Sequence, residues 1–202
     1  MRETFFGDIP LGTWAGSGVG EPWSRFKLAA AQFAKGNRDD ALAVLEEILK
    51  RPDLESRHYL EAWTALREAG VGPPSHIAKR VLGVVLDVPV KGGFDTLAAY
   101  PDWRARYVNV SGAAIVWDAP DARMDAHVKQ LMVACQKLAD KIGPWIGARP
   151  ALNPGHTRIN LLTPSGLLFG DGPYEAFMRD PLAAPILATG TSLMRSLIAL
   201  RR

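Results

Sequence analysis

The sequence predicts an α+β protein. It begins with an N-terminal three-helix segment, and a mainly antiparallel sheet of about six strands follows, packed by a long amphipathic helix and C-terminal helices. Three observations carry this reading. Apolar residues recur at three-to-four spacing over 38–50 and again over 124–142, the period of a helix that buries one face. A β-branched run fills 81–90 between those two segments. Extended stretches come in runs rather than in strict alternation with helices, which excludes a doubly wound sheet.

Residues 1–22 are rich in glycine and read as an irregular arm. Its apolar residues Phe5, Phe6, Ile9, Leu11 and Trp14 are candidates to tie it to the body. Pro22-Trp23-Ser24 opens a helix that runs to about residue 34, and Lys35-Gly36-Asn37 is a turn. In the next helix, 38–50, Ala41, Leu45 and Ile48 form one stripe, and Pro52 ends it. Asp53 is a candidate N-cap for a third helix with Leu60, Trp63 and Leu66 inward. Gly70, Gly72, Pro73 and Pro74 then break the chain. The expected units are therefore an arm at 1–22, a helical subdomain at 23–72 and an α+β domain at 73–202.

Beyond a short helical turn at 76–80, strands are expected at 81–90, 95–100, 104–110 and 113–117. Their connections are too short for anything but antiparallel neighbours, so they form a meander. Pro120 suits the first turn of a helix. From there Met124, Val128, Leu131, Cys135, Leu138 and Ile142 mark a face buried on the sheet, and Gly143-Pro144 stops the helix. A hairpin is expected from 158–162 and 167–169, ended by Gly170-Asp171-Gly172-Pro173. Asp180 caps a C-terminal helix that Gly190 is placed to interrupt. Helices over one face of the sheet complete the expectation.

Residues 24–52 resemble a tetratricopeptide-type helical hairpin. Leu28 and Ala29 in the first helix, Gly36 at the turn, and Ala41, Leu45 and Ile48 in the second carry the likeness. Pro52 arrives one residue before the family's proline, and the pattern does not continue beyond Gly70. The resemblance implies a helical packing surface. In element order alone, the C-terminal part is similar to sheet-and-helix domains of the profilin or roadblock type.

Composition narrows the function classes. The chain has 202 residues, of which 24 are basic and 21 acidic, and the net charge is +3. That excess is mild and scattered, so nucleic acid is not an expected partner. Cys135 is the single cysteine, which rules out an intrachain disulfide and points to a cytoplasmic protein. Gly190 and Arg195 interrupt the most apolar stretch, so no membrane span is expected.

No catalytic, metal or cofactor signature emerges. Gly16-Ser17-Gly18-Val19-Gly20 lacks the Lys-Ser or Lys-Thr of a phosphate loop. His58, His76, His127 and His156 have no metal-ligand spacing, so no metal or cofactor is expected. Cys135 lies on a buried stripe, where a thiol is inert. Ser17 and Ser165 lack the rest of a nucleophile elbow.

Strand alternation yields one candidate site. His156, Arg158 and Asn160 share a face of one strand, and Arg104 and Arg106 share a face of another. If those faces coincide, they suit an anionic small molecule, with Asp87 and Asp171 as partners or bases. Six tryptophans supply the residue type favoured at contact hot spots. The leading expectation is thus a non-catalytic protein-interaction, adaptor or regulatory module with a protein partner or self-association. The alternative is an enzyme or binding protein for a small anionic ligand on the Arg/His face.

Overall fold

The computed structural model describes residues 2–118 and 121–200. A single 3-10 turn, Arg2–Phe5, precedes α1 (Leu11–Ala15), α2 (Trp23–Ala34), α3 (Arg38–Lys50) and α4 (Ser56–Glu68). Strands β1 (Gly83–Val90), β2 (Gly93–Ala99), β3 (Ala105–Val108) and β4 (Ala114–Trp117) form the expected meander. Then come α5 (Ala122–Ala139), β5 (His156–Thr163), β6 (Gly166–Pro173), α6 (Tyr174–Arg179) and α7 (Ala183–Leu200). Pro120, the expected helix start, lies outside the described residues.

All neighbours in the six-stranded sheet are antiparallel, in the order β4-β3-β2-β1-β5-β6. The chain crosses over through α5, so β5 takes the side of β1 that the meander leaves open. Register then decides which side chains share a face. Leu86 is opposite Leu97 and Ile159, and this row packs on α5 and α7. Val85 is opposite Ala98 and Asn160, and that row meets the N-terminal helices.

The sheet is therefore covered on both faces, not on one. One layer holds α5 and α7, where Met124, Val128, Leu131 and Cys135 are all at most 2% exposed. Each such aliphatic side chain contributes about 1.5–3 kcal/mol on burial. The other layer holds α2, α3 and α4, with Phe26, Leu45, Ile48 and Leu66 against Val85, Ala98 and Tyr100.

Several local expectations shift. Gly36, at φ +80°, closes the hairpin of α2 and α3, within which Ala29 is buried but Leu28 is 48% exposed. Asp53 does not cap α4, because it pairs with Arg51. Instead the β2–β3 turn supplies Asp102, whose Oδ2 accepts from Ser56 N at 2.6 Å. Residues 75–79 form a single hydrogen-bonded turn, with Ala78 N donating to Pro74 O at 3.0 Å, one residue before the helical turn expected at 76–80. Gly190 does not break α7, because its missing Cβ leaves room for Leu86. Asp180 Oδ1 does cap that helix, accepting from Leu182 N and Ala183 N at 2.8 Å. By length and composition alone α7 could cross a membrane, with a mean hydropathy of 1.3 over 18 residues. Here its buried side packs in the same core as α5.

The glycine-rich arm is ordered and partly helical. Phe5, Phe6 and Trp14 are each at most 4% exposed, and Tyr100 Oη donates to Phe5 O at 2.7 Å. Gly7 turns the arm at φ +62°, and a Cβ there would lie 2.5 Å from Leu60 Cβ. Both terms oppose a side chain. Gly7→Ala should therefore lower stability by about 2 kcal/mol or more in urea unfolding, whereas a permissive site would show no loss.

Candidate functional site

The faces of β3 and β5 coincide as the alternation implied. Arg106 is opposite Ala98, Ala98 opposite Val85, and Val85 opposite Asn160, so all four point toward the N-terminal helices. However, β2 and β1 lie between β3 and β5, which separates the two groups by roughly 14 Å at about 4.8 Å per strand. The structure joins His156 and Arg158 through Asp171, while Asn160, on the same strand face, bonds to Asp87 instead. It places Arg104 and Arg106 in a second cluster.

In the first cluster Arg158 is only 2% exposed, and its guanidinium is fully engaged. Nε donates to Asp171 Oδ2 at 2.8 Å, Nη1 to Pro150 O at 2.7 Å and Nη2 to Ala151 O at 2.7 Å. The Phe169 ring lies beneath it at 5.1 Å. His156 Nδ1 donates to Asp171 Oδ1 at 2.5 Å, and Asn153 Nδ2 donates to the same oxygen at 2.9 Å. Burial raises the Asp171 pKa, but the hydrogen bonds from Asn153, His156 and Arg158 outweigh it and hold the carboxyl below its ordinary value.

Asn160 Nδ2 donates to Val85 O at 2.8 Å and to Asp87 Oδ2 at 3.1 Å. Asp87, in the middle of β1, is 0% exposed. Thr96 Oγ1 donates to its Oδ1 at 2.8 Å. The counter-charge comes from the start of the chain. Arg2 Nε and Nη2 reach Asp87 Oδ1 and Oδ2 at 2.9 and 2.8 Å, a bidentate fork. Beside it, the Arg149 guanidinium stacks on the Phe6 ring at 3.6 Å and pairs with Glu3.

In the second cluster Arg106 Nη1 donates to Ala105 O and Trp117 O, both at 2.9 Å, while Nη2 pairs with Asp118. Arg104 lies 3.5 Å from both Glu55 and Asp102. Asp87 and Asp171 are therefore charge partners of arginines. An incoming anion would have to displace a carboxylate or a backbone carbonyl at Arg158 or Arg106. His156 is oriented by Asp171 as a base would be, yet no hydroxyl or thiol hydrogen-bonds to it among the described residues.

Two perturbed groups lie outside both clusters, on α4. His58 is 6% exposed and sits among Trp14, Trp23 and Phe26, with ring centroids 5.0–6.2 Å away. Burial lowers its pKa to about 4. Glu61 is 1% exposed, no side chain among the described residues hydrogen-bonds to its carboxylate, and the backbone N–H of Ile9 is the one group that favours its charged form by hydrogen bonding. Burial pushes it up to about 8, and nearby Asp8 adds to that. Spacing offered no sign of either, since both read as interior positions of an ordinary helix. Arg2 carried no pattern at all. Asp87 was visible as a lone carboxylate in an apolar run. Cys135 is 0% exposed and burial raises its pKa, so the thiol stays protonated.

The larger recesses lie elsewhere. A groove of about 580 Å³ runs between the end of α3, α4 and the β2–β3 and β5–β6 turns at one end of the strands, with Tyr59, Trp63, Ile77, Arg80 and Pro101 among its walls. Another of about 610 Å³ follows the outer seam of α5 and α7. Among the described residues no group of three or more His, Cys, Asp or Glu could hold a metal ion. No protein family, curated protein or solved structure matches the chain.

The two α4 groups give opposite limbs of a pH–stability curve. Neutral His58 favours the fold above the unfolded value near 6.5, and this contribution is lost as pH falls toward 4. Protonated Glu61 is compatible with the fold at low pH, and the fold weakens as pH rises from about 4.5 toward 8 while the unfolded carboxyl ionises. Glu61→Gln should remove the alkaline limb and gain on the order of a few kcal/mol at pH 8, with little gain at pH 4. Urea unfolding across that range checks it, and an equal effect at both pH values contradicts it.

Proposed function

We propose that this chain is a non-catalytic protein-interaction module, an adaptor or regulatory subunit that works in the cytoplasm. The observation that carries the reading is the internal closure of the Arg/His sheet face. Arg158 and Arg106 are spent on Asp171, Asp118 and backbone carbonyls, and Arg2 with Phe5 and Phe6 lies over the sheet centre. A small-molecule site needs convergent polar groups with capacity to spare, and this face has little.

Apolar contact area is instead available outside. Ile146 is 92% exposed, Val133 53%, Val116 49% and Trp145 47%. Val133 lines the α5–α7 recess, so exposed apolar surface and a concave seam coincide there, as at contact surfaces. The tetratricopeptide-like hairpin of α2 and α3 adds a helical surface of the same use.

Panning an unselected peptide library against the whole chain, beside a solution-mass measurement, tests this directly. The expected result is a recurrent class of binding peptides or a stable oligomer. A monomer with no selected ligand contradicts it. In parallel, phosphate and small carboxylates at millimolar concentration should leave the melting temperature unchanged. A saturable rise that Arg158→Gln abolishes would favour the anion-binding alternative.

A further inference from the structure

Deepening the protein-interaction reading, on which it rests, we infer that the groove beside Trp63 binds an extended, proline-containing peptide of a partner protein that carries an acidic side chain for Arg80. The floor includes Trp63, which is 8% exposed and whose indole N–H has no hydrogen-bond acceptor among the described residues. Unlike the indole nitrogens of Trp14 and Trp117, it is not sealed in the interior, so it is open to a ligand in the groove. The free donor therefore selects a ligand that brings a free carbonyl. Helical segments use their own carbonyls internally, whereas polyproline and extended segments leave them open.

The walls fit the same ligand. Ile77, Pro101 and Tyr59 offer flat apolar surface of the kind on which proline rings pack. Tyr59 is held in place, because its hydroxyl donates to Arg51 O and accepts from Leu54 N at 3.2 Å. A groove fixed this way loses little entropy on binding.

Charge then sets the flank. Asp102, the carboxylate in the lining, is already engaged by Ser56 N and Arg104. Lys50 pairs with Glu47, and Arg51 with Asp53 and Glu21. Arg80 is exposed and has no side-chain partner among the described residues. It is the cation left for a ligand carboxylate, and like-charge contact with Lys50 and Arg51 disfavours a basic peptide.

The test uses three labelled synthetic peptides with the full chain in fluorescence polarisation: a proline-leucine peptide flanked by glutamates, the same peptide flanked by lysines, and an acidic helical peptide. The glutamate-flanked peptide should bind, and the other two at least about tenfold more weakly. Arg80→Glu, at an exposed position, should weaken the glutamate-flanked peptide by about tenfold and shift preference to the lysine-flanked one. Trp63→Phe should also weaken binding, with thermal unfolding as the control for fold. Failure of the glutamate-flanked peptide to bind, or binding indifferent to Arg80→Glu, overturns the inference. If library-selected peptides bind but ignore Arg80→Glu, the interaction reading stands and the groove does not. If no library peptide binds either, both fall.

Discussion

A carboxylate at the centre of a sheet governs this structure. Asp87 is fully buried in β1, and its guanidinium partner is Arg2, near the very start of the chain. An unpaired charge at that depth costs several kcal/mol, so the sheet is complete only when the first turn has closed over it. Thr96 and Asn160 complete the shell of Asp87, which joins β1, β2 and β5 through one side-chain group. The arm is thereby part of the core, and Phe5 and Phe6 pack with the helices around it.

This constraint explains why the face toward the N-terminal helices is polar yet buried. Antiparallel sheets commonly alternate apolar residues toward a core with polar ones toward water. The alternation here is real, with Val84 and Leu86 on one side and Val85 and Asp87 on the other. The second side meets the N-terminal arm and helices instead of water. Buried polar groups must then satisfy one another, and Arg158, Asp171 and Arg106 do so, while Asn160 engages through Nδ2 and its Oδ1 has no partner among the described residues.

Elements with a strong period were legible in the sequence: α3, α5 and the β1–β4 meander stand where spacing and short connections put them. Which residues share a face was also legible, since Arg106, Arg158 and Asn160 do share one. What covers that face was not, because strand alternation cannot distinguish solvent from a second helical layer. Glycine misled twice for a related reason. Gly170 and Gly172 read as a stop, but β6 continues to Pro173, and Gly170 makes room for Phe177 of α6. Gly190 likewise serves the approach of Leu86 within an unbroken helix. In both places the demand comes from packing partners distant in sequence, which no local pattern encodes.

Closure of the arm over Asp87 is most directly tested by a double-mutant cycle on Arg2 and Asp87, read by urea unfolding. Arg2→Met in the natural chain leaves a buried, unpaired carboxylate and should cost on the order of 3 kcal/mol. In an Asp87→Asn background the same change should cost far less, giving a coupling above about 1 kcal/mol. Equal costs in the two backgrounds would show that Arg2 does not neutralise Asp87, and the arm would then be an accessory to a sheet that stands without it.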